Sequence, residues 1–272
     1  MLANQAFLSP ERDARLAVYE CANRPAVGFS ADYPAGLVSG MHSHRRAQLI
    51  YAISGVMRVE TDKALFVLPP SKALLLSADT AHSITMEGYV AMRQLFLNPE
   101  TASSMASAPR VMSVTPLLRE LLVALCGEPP DWKLDGRGSH LVALIIGEIA
   151  CARTLPTKLP LPKDPRVKNL VRAILDYPGD RRGLDIWADN LGASARTIDR
   201  VFLRETGLSF GQWRLQARLN AAFVLLMTDG NITRIAAEVG FANPSAFGVA
   251  FRRTFDLTPG QARDLQRQQP ED

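Results

Sequence analysis

The stretch ITRIAAEVGFANPSAFGVAFRR, Ile232 to Arg253, decides the fold. Ile232, Ile235, Ala236 and Val239 recur at helical spacing and share one face. Gly240 then tolerates the positive φ that ends a helix. Asn243 suits the cap of a second helix, with Pro244 at its first position, where a missing N–H does no harm. Phe247, Ala250 and Phe251 turn that second helix back onto the first. The pattern predicts a helix-turn-helix, a shape whose second helix enters the major groove of DNA.

A similar pattern lies upstream. Leu184, Trp187, Ala188 and Leu191 form the packed face of a first helix, Gly192 marks the turn, and Ser194 caps a second helix whose buried side is Ile198, Val201 and Phe202. Its other side carries Arg196, Thr197, Asp199, Arg200 and Arg204. Between the copies runs a long apolar-periodic helix, Phe210 to about Met227, with Trp213, Ala217, Ala221, Phe223 and Leu226. Such a rod can hold two recognition helices at a fixed separation, and successive major grooves on one face of DNA lie about 34 Å apart.

These residues resemble the DNA-binding domain of the AraC/XylS-type transcriptional regulators over Arg166–Arg263. The matching motifs are SARTIDRVFLRETG, the WRLQARLNAA helix, and IAAEVGFANPSAFGVAFRR followed by Thr258-Pro259. Two departures stand out: Asp256 or Leu257 where the family has a glycine, and Ala262 where it has an aromatic. The resemblance implies base-reading side chains early in each second helix. In the first copy these are Arg196, Thr197, Asp199 and Arg200, with Ser194 as cap. Arginine can donate two hydrogen bonds to guanine; Asp199 can accept from cytosine or orient Arg196. In the second copy the positions hold Pro244, Ser245, Gly248 and Val249, which offer few specific hydrogen bonds. The first unit is therefore expected to read most of the sequence. The second is expected to hold the backbone through its helix N-terminus, Ser245, Arg252 and Arg253.

Length and composition agree with two ordinary domains: 272 residues, 47% hydrophobic and 21% charged. No apolar run is long enough to span a bilayer, and no basic-then-apolar leader opens the chain, so a cytoplasmic protein without membrane contact is expected. Cys21, Cys126 and Cys151, odd in number and widely spaced, suit a reducing compartment rather than a disulfide framework. The net charge is only +4, and residues 161–272 carry sixteen Lys and Arg against thirteen Asp and Glu. Arrangement says more than total: Arg196, Arg200, Arg204, Arg252 and Arg253 lie on or beside the recognition helices. The alternating proline and apolar residues of Leu155–Pro162 predict a stiff, extended linker. After it, Asp164 suits the cap of a helix from Pro165 to about Tyr177. The expected domains are 1–155, a linker at 156–164, and 165–272.

The first half reads differently. Gln48–Ile53, Val56–Thr61, Leu65–Leu68, Ala73–Leu76 and Tyr89–Leu97 are short β-prone runs separated by turn residues, predicting a β-barrel or sandwich. Two helices follow, about Pro116–Cys126 and Ser139–Thr154. His42, His44 and Gln48 share a parity and would line one face of a strand, and His82 opens a later strand. The spacing of Gly36, His42, His44, Gln48 and Gly55 resembles the first motif of the cupin superfamily, His82 matches the histidine of the second, and Gln48 stands where a glutamate is usual. Within the regulator family, HSHRRAQLIYAISGVMRV and VLPPSKALLL resemble a subgroup that includes a nickel-responsive repressor of metal efflux.

The fold expected is therefore α+β and multi-domain: an N-terminal cupin-like β-barrel with a helical hairpin, then an all-α domain with two helix-turn-helix units. The function expected is a ligand-controlled, sequence-specific DNA-binding transcription regulator. Its ligand is expected to be a divalent metal held by His42, His44, Gln48 and His82, with nickel favoured and zinc, copper and iron open. An organic effector in the barrel is one alternative and a metal-dependent cupin enzyme another. The chain shows no nucleophile–base pair, phosphate-binding glycine loop or CxxC pair, so no catalysis is expected. The partners expected are double-stranded DNA, the effector or metal ion, RNA polymerase, and a second copy of the chain. The last rests partly on the family resemblance and partly on the two helices at 116–126 and 139–154, whose Leu117, Leu121, Leu125 stripe, flanked by Leu118 and Leu122, suits packing on the barrel or on a second copy.

Overall fold

The computed structural model describes residues 16–103, 105, 108–155, 158–228 and 230–267. The first fifteen residues of the expected N-terminal domain, and Pro156 and Thr157 of the expected linker, lie outside these. The chain divides into two compact units, one running to Thr61 and again over Leu68–Pro156, the other made of Asp62–Val67 and Thr157 onward. The strands are β1 (Ala26–Tyr33), β2 (Ala47–Ser54), β3 (Met57–Thr61), β4 (Ala64–Leu68), β5 (Lys72–Leu76), β6 (His82–Met86), β7 (Val90–Leu97), β8 (Arg110–Ser113) and β9 (Lys158–Pro160). The helices are α1 (Pro99–Ala102), α2 (Pro116–Cys126), α3 (Arg137–Cys151), α4 (Pro165–Asp176), α5 (Leu184–Asn190), α6 (Ala195–Thr206), α7 (Phe210–Thr228), α8 (Ile232–Glu238), α9 (Pro244–Phe255) and α10 (Pro259–Arg267).

In the first unit an antiparallel sheet runs β1-β7-β2-β5-β8. Its register sets Gln48 opposite Phe96 and Leu49 opposite Leu95. Strand alternation then divides the residues between two faces. Ala47, Leu49, Tyr51, Ala73, Leu75, Leu95 and Leu97 share one core with Leu118, Leu122, Leu125, Ile145 and Ile149 of the α2–α3 hairpin. Gln48, Ile50, Leu74, Leu76, Gln94 and Phe96 therefore point to the opposite face, where Phe96 packs with Val27, Phe29 and Leu16. β3 pairs antiparallel with β6, Thr61 opposite His82. β8 had no sequence counterpart; it adds to the sheet edge by pairing with β5.

Of the two packings open to the leucine stripe, on its own sheet or on a second copy, the first takes most of it. Leu118, Leu121, Leu122 and Leu125 are at most 7% exposed and Leu117 is 54% exposed, because α2 turns four of its five leucines onto its own sheet. The middle of the expected linker is also a paired strand: β9 lies antiparallel to β4, Leu159 opposite Leu65, and Leu159 is fully buried. Hydrogen bonding to a neighbouring strand satisfies backbone groups that a bare extended linker would leave to water.

The second unit is organised by α7, which at nineteen residues is roughly 28 Å long. Near its start Trp213 packs on Phe202 of α6, ring centroids 5.2 Å apart, and donates through Nε1 to the Pro160 carbonyl at 2.7 Å. Towards its end Phe223 packs on Phe251 and Phe255 of α9, at 5.5 and 4.8 Å. One rod thus anchors both second helices through buried aromatics. Local chemistry sets the ends of these helices. Asp164, Ser194 and Asn243 accept from the first-turn N–H groups of α4, α6 and α9. Thr258 and Gln261 exchange side-chain-to-backbone bonds of 2.8 and 3.2 Å, a capping box that starts α10 at Pro259. Asp256 takes the left-handed conformation (φ 62°) at the end of α9, so an aspartate serves where glycine is the usual choice.

Candidate metal centre and DNA-reading surface

His42 and His44 are not on a strand with Gln48, as their parity suggested; they lie in the loop ahead of β2. Long-range pairing brings them together instead. His42 and His82 exchange two backbone hydrogen bonds, at 2.9 and 2.8 Å, and the Asp79 N–H donates to the His44 carbonyl at 2.7 Å. The three imidazoles then cluster, with ring centroids 4.4 to 5.5 Å apart. One ligand nitrogen from each lies within 4.8 Å of the others.

The outer nitrogens are all engaged. His42 Nδ1 donates to the Gly40 carbonyl at 2.9 Å and His82 Nδ1 to the Thr80 carbonyl at 2.8 Å. His44 Nδ1 pairs with the Glu20 carboxylate. A carbonyl can only accept, so Nδ1 carries the proton and Nε2 is the basic, coordinating nitrogen. A carboxylate or carbonyl behind each imidazole is the outer arrangement that orients histidines bound to metal. Gln48 is 1% exposed, and neither atom of its amide has a hydrogen-bond partner among the described residues. It lies on the same sheet face as Phe96, whose ring meets the His44 ring at 5.2 Å. Three neutral imidazoles whose ligand nitrogens lie this close are a donor set that fits a divalent first-row metal.

Two supporting residues were not legible in the sequence. Glu20 comes from a helical stretch at residues 16–20, and nothing in its local pattern points to a histidine twenty-four positions away. Arg46, 4% exposed, fixes that segment by donating to the Ala22, Arg24 and Pro25 carbonyls at 2.7, 2.6 and 3.3 Å. Burial lowers its pKa, against the opposing pull of Glu20.

The second unit presents two recognition helices. On α6, Arg196 and Arg200 are exposed. Ser194 accepts from the Thr197 N–H at 3.2 Å, and the two hydroxyls are 2.9 Å apart, so this pair serves the helix end. Asp199 has a structural partner rather than Arg196: its Oδ1 accepts from the Phe210 N–H at 2.8 Å, at the start of α7. Arg204 pairs with Glu205 at 2.7 Å and reaches Asp164 at 3.7 Å, which spends its charge locally. On α9, Pro244, Ser245, Arg252 and Arg253 are exposed, while Gly248 is half-buried with open space beside it. Among the described residues no helix is long and apolar enough to cross a membrane.

Two helix-turn-helix units on one rod, joined to a β unit with an internal polar cluster, define a DNA-binding regulator with a ligand-binding domain. Comparison with known proteins agrees. Residues 25–150 match the AraC-like ligand binding domain family, and residues 187–264 match a helix-turn-helix domain family. The chain belongs to the AraC/XylS-type transcriptional regulators. It is 28% identical over 225 residues to the HTH-type transcriptional regulator NimR of Escherichia coli, covering 83% of this chain and 82% of that one. It is 39% identical over 100 residues to RipA of Corynebacterium glutamicum, a match of 37% of this chain and 30% of RipA. Among solved structures, ToxT of Vibrio cholerae is 11% identical over 89% of this chain and 99% of its own, with a TM-score of 0.38.

Proposed function

We propose that this regulator senses a divalent metal ion, held by His42, His44 and His82 with Gln48 as a neutral fourth donor, and acts on DNA in the cytoplasm. The observation that carries this reading is the convergence of one nitrogen from each of three imidazoles within 4.8 Å, with every Nδ1 engaged. A bound ion supplies positive charge and a fixed geometry that ties the loop at His42 and His44 to β6. Gln48 is a weaker and uncharged donor than a glutamate, so binding is looser and the ion keeps more charge, as suits a reversible sensor. Metal changes DNA affinity only to the extent that it binds the DNA-competent state better than the other. Catalysis has no part in this reading.

A second reading, an organic effector, is favoured by one feature. Gln94 is fully buried on the same sheet face as Gln48, and its amide oxygen also has no hydrogen-bond partner among the described residues. A small molecule with donor groups would satisfy both amides.

The test is a titration of metal-stripped full-length protein with nickel and then zinc, by calorimetry and by binding to DNA from upstream of its own gene at fixed salt. Metal sensing predicts a stoichiometric site, at least a tenfold change in DNA affinity, about 1.4 kcal/mol of coupling, and loss of both in His42→Ala and His82→Ala. DNA binding that ignores nickel and zinc, and then copper and iron as well, sinks the metal reading and leaves the organic one.

A further inference from the structure

We propose that the second helix-turn-helix unit reads thymine through Val249, whose methyl groups pack against thymine C5-methyl groups in the major groove. This rests on the DNA-binding role of the second unit and names the chemistry of its readout. Val249 is the sixth residue of α9 and is 73% exposed. Ser245 precedes it by four residues, and Arg252 and Arg253 follow by three and four, so all lie on one helix face. The opposite face is pinned: Phe247 and Phe251 are fully buried and Phe255 is 3% exposed. That ridge locks the rotation of α9 about its axis and holds Val249 outward.

Valine at this position adds nothing to the buried ridge of Phe247, Phe251 and Phe255. A β-branched residue in a helix interior is disfavoured relative to alanine or leucine, and this one, 73% exposed, gains little burial in return. What surrounds it identifies an occupant. Arg252 and Arg253, both exposed in the last turn, bring positive charge within a turn of an apolar side chain. Double-stranded DNA offers the complement: phosphates beside a groove whose one apolar base feature is the thymine methyl. Ser245 and Gly248 have no pair of donors with which to read guanine or adenine, and Arg252 and Arg253 lie in the last turn, so in the first two turns of this helix apolar contact is the readout. The first unit differs, because Arg196 and Arg200 present guanidinium groups suited to guanine. The two half-sites should accordingly differ in composition, one carrying guanine contacts and the other thymine.

The test uses the full chain, metal-stripped and nickel-loaded. Preferred sites are selected from random duplex DNA. Each thymine in the selected site is then replaced singly by deoxyuridine, which lacks only the methyl group. The expected result is one or two thymines, in one half-site, where deoxyuridine weakens wild-type binding roughly fourfold, the scale of one methyl removed from contact. Val249→Ala should bind those thymine sites about as weakly as wild type binds the deoxyuridine versions, and should be indifferent to the replacement. Circular dichroism checks that this exposed substitution leaves the fold intact. If no deoxyuridine position matters, or if Val249→Ala remains as sensitive as wild type, the proposal is overturned. If no sequence is enriched at all, the DNA-reading role fails first and takes the proposal with it.

Discussion

Gly179→Ala should destabilise the DNA-binding unit, although the residue faces no ligand and lies in a loop. A β-carbon built there would stand 2.1 Å from the Glu238 carbonyl oxygen, where ordinary contact begins at 3.4 Å. The loop must therefore retreat by more than about 1 Å. Its two sides are held: Arg218 of α7 donates to the Pro178 carbonyl at 3.0 Å and to the Asp180 carbonyl at 2.6 Å. The same guanidinium packs against Gly240, leaving only 2.9 Å for a β-carbon at that left-handed turn (φ 84°). Retreat of the loop strains these bonds, and overpacking of this kind costs about 1–3 kcal/mol. The contact also joins the loop ahead of the first helix-turn-helix to the turn of the second. Urea unfolding followed by tryptophan fluorescence should show that loss, and affinity for a two-part DNA site should fall more than affinity for either half. Gly248→Ala is the control. Its β-carbon meets nothing within 4 Å, so a helix-interior alanine should stabilise by roughly 0.5–1 kcal/mol and leave sequence preference unchanged. A Gly179→Ala protein within about 0.5 kcal/mol of wild type would refute the reasoning that this loop is fixed.

Two further expectations follow from particular side chains. Asp199→Ala removes the carboxylate that accepts from the Phe210 N–H and should cost about 1 kcal/mol, as cap losses do, with base preference intact; altered preference at a cytosine in binding-site selection would restore a reading role to Asp199. Hydrogen bonds from Arg166, first from its side chain, hold the Asp164 carboxyl down at about 2. A folded value below the unfolded one means that this cap stabilises above the ordinary carboxylate range and fails as pH falls through about 2. Carboxyl NMR should find Asp164 still ionised at pH 3, and titration near the ordinary value of about 4 would contradict the geometry.

Much of the helical unit could be read directly from the sequence because its signals are local. Caps at Ser194 and Asn243, proline at the first position of α9, and buried residues at three- and four-residue spacing are decided within about a turn. Family resemblance supplied which faces meet DNA. The leucines of α2 were equally plain as an apolar stripe, yet periodicity cannot say whether a stripe meets its own sheet or a second copy. The sheet of the first unit decided that. His42, His44 and His82 were visible as candidates, but their grouping depends on a bridge across forty positions, and Glu20 and Arg46 act through contacts that leave no local trace. The structural partner of Asp199 was hidden because the Phe210 N–H lies eleven residues on, beyond the reach of helix spacing. Pairing of β9 with β4 was hidden because a proline-rich strand looks like a linker until a partner strand supplies its hydrogen bonds. Local backbone energetics and side-chain periodicity are thus properties of the sequence alone. Which distant groups complete a site is settled only when the chain closes and buried polar atoms must find partners.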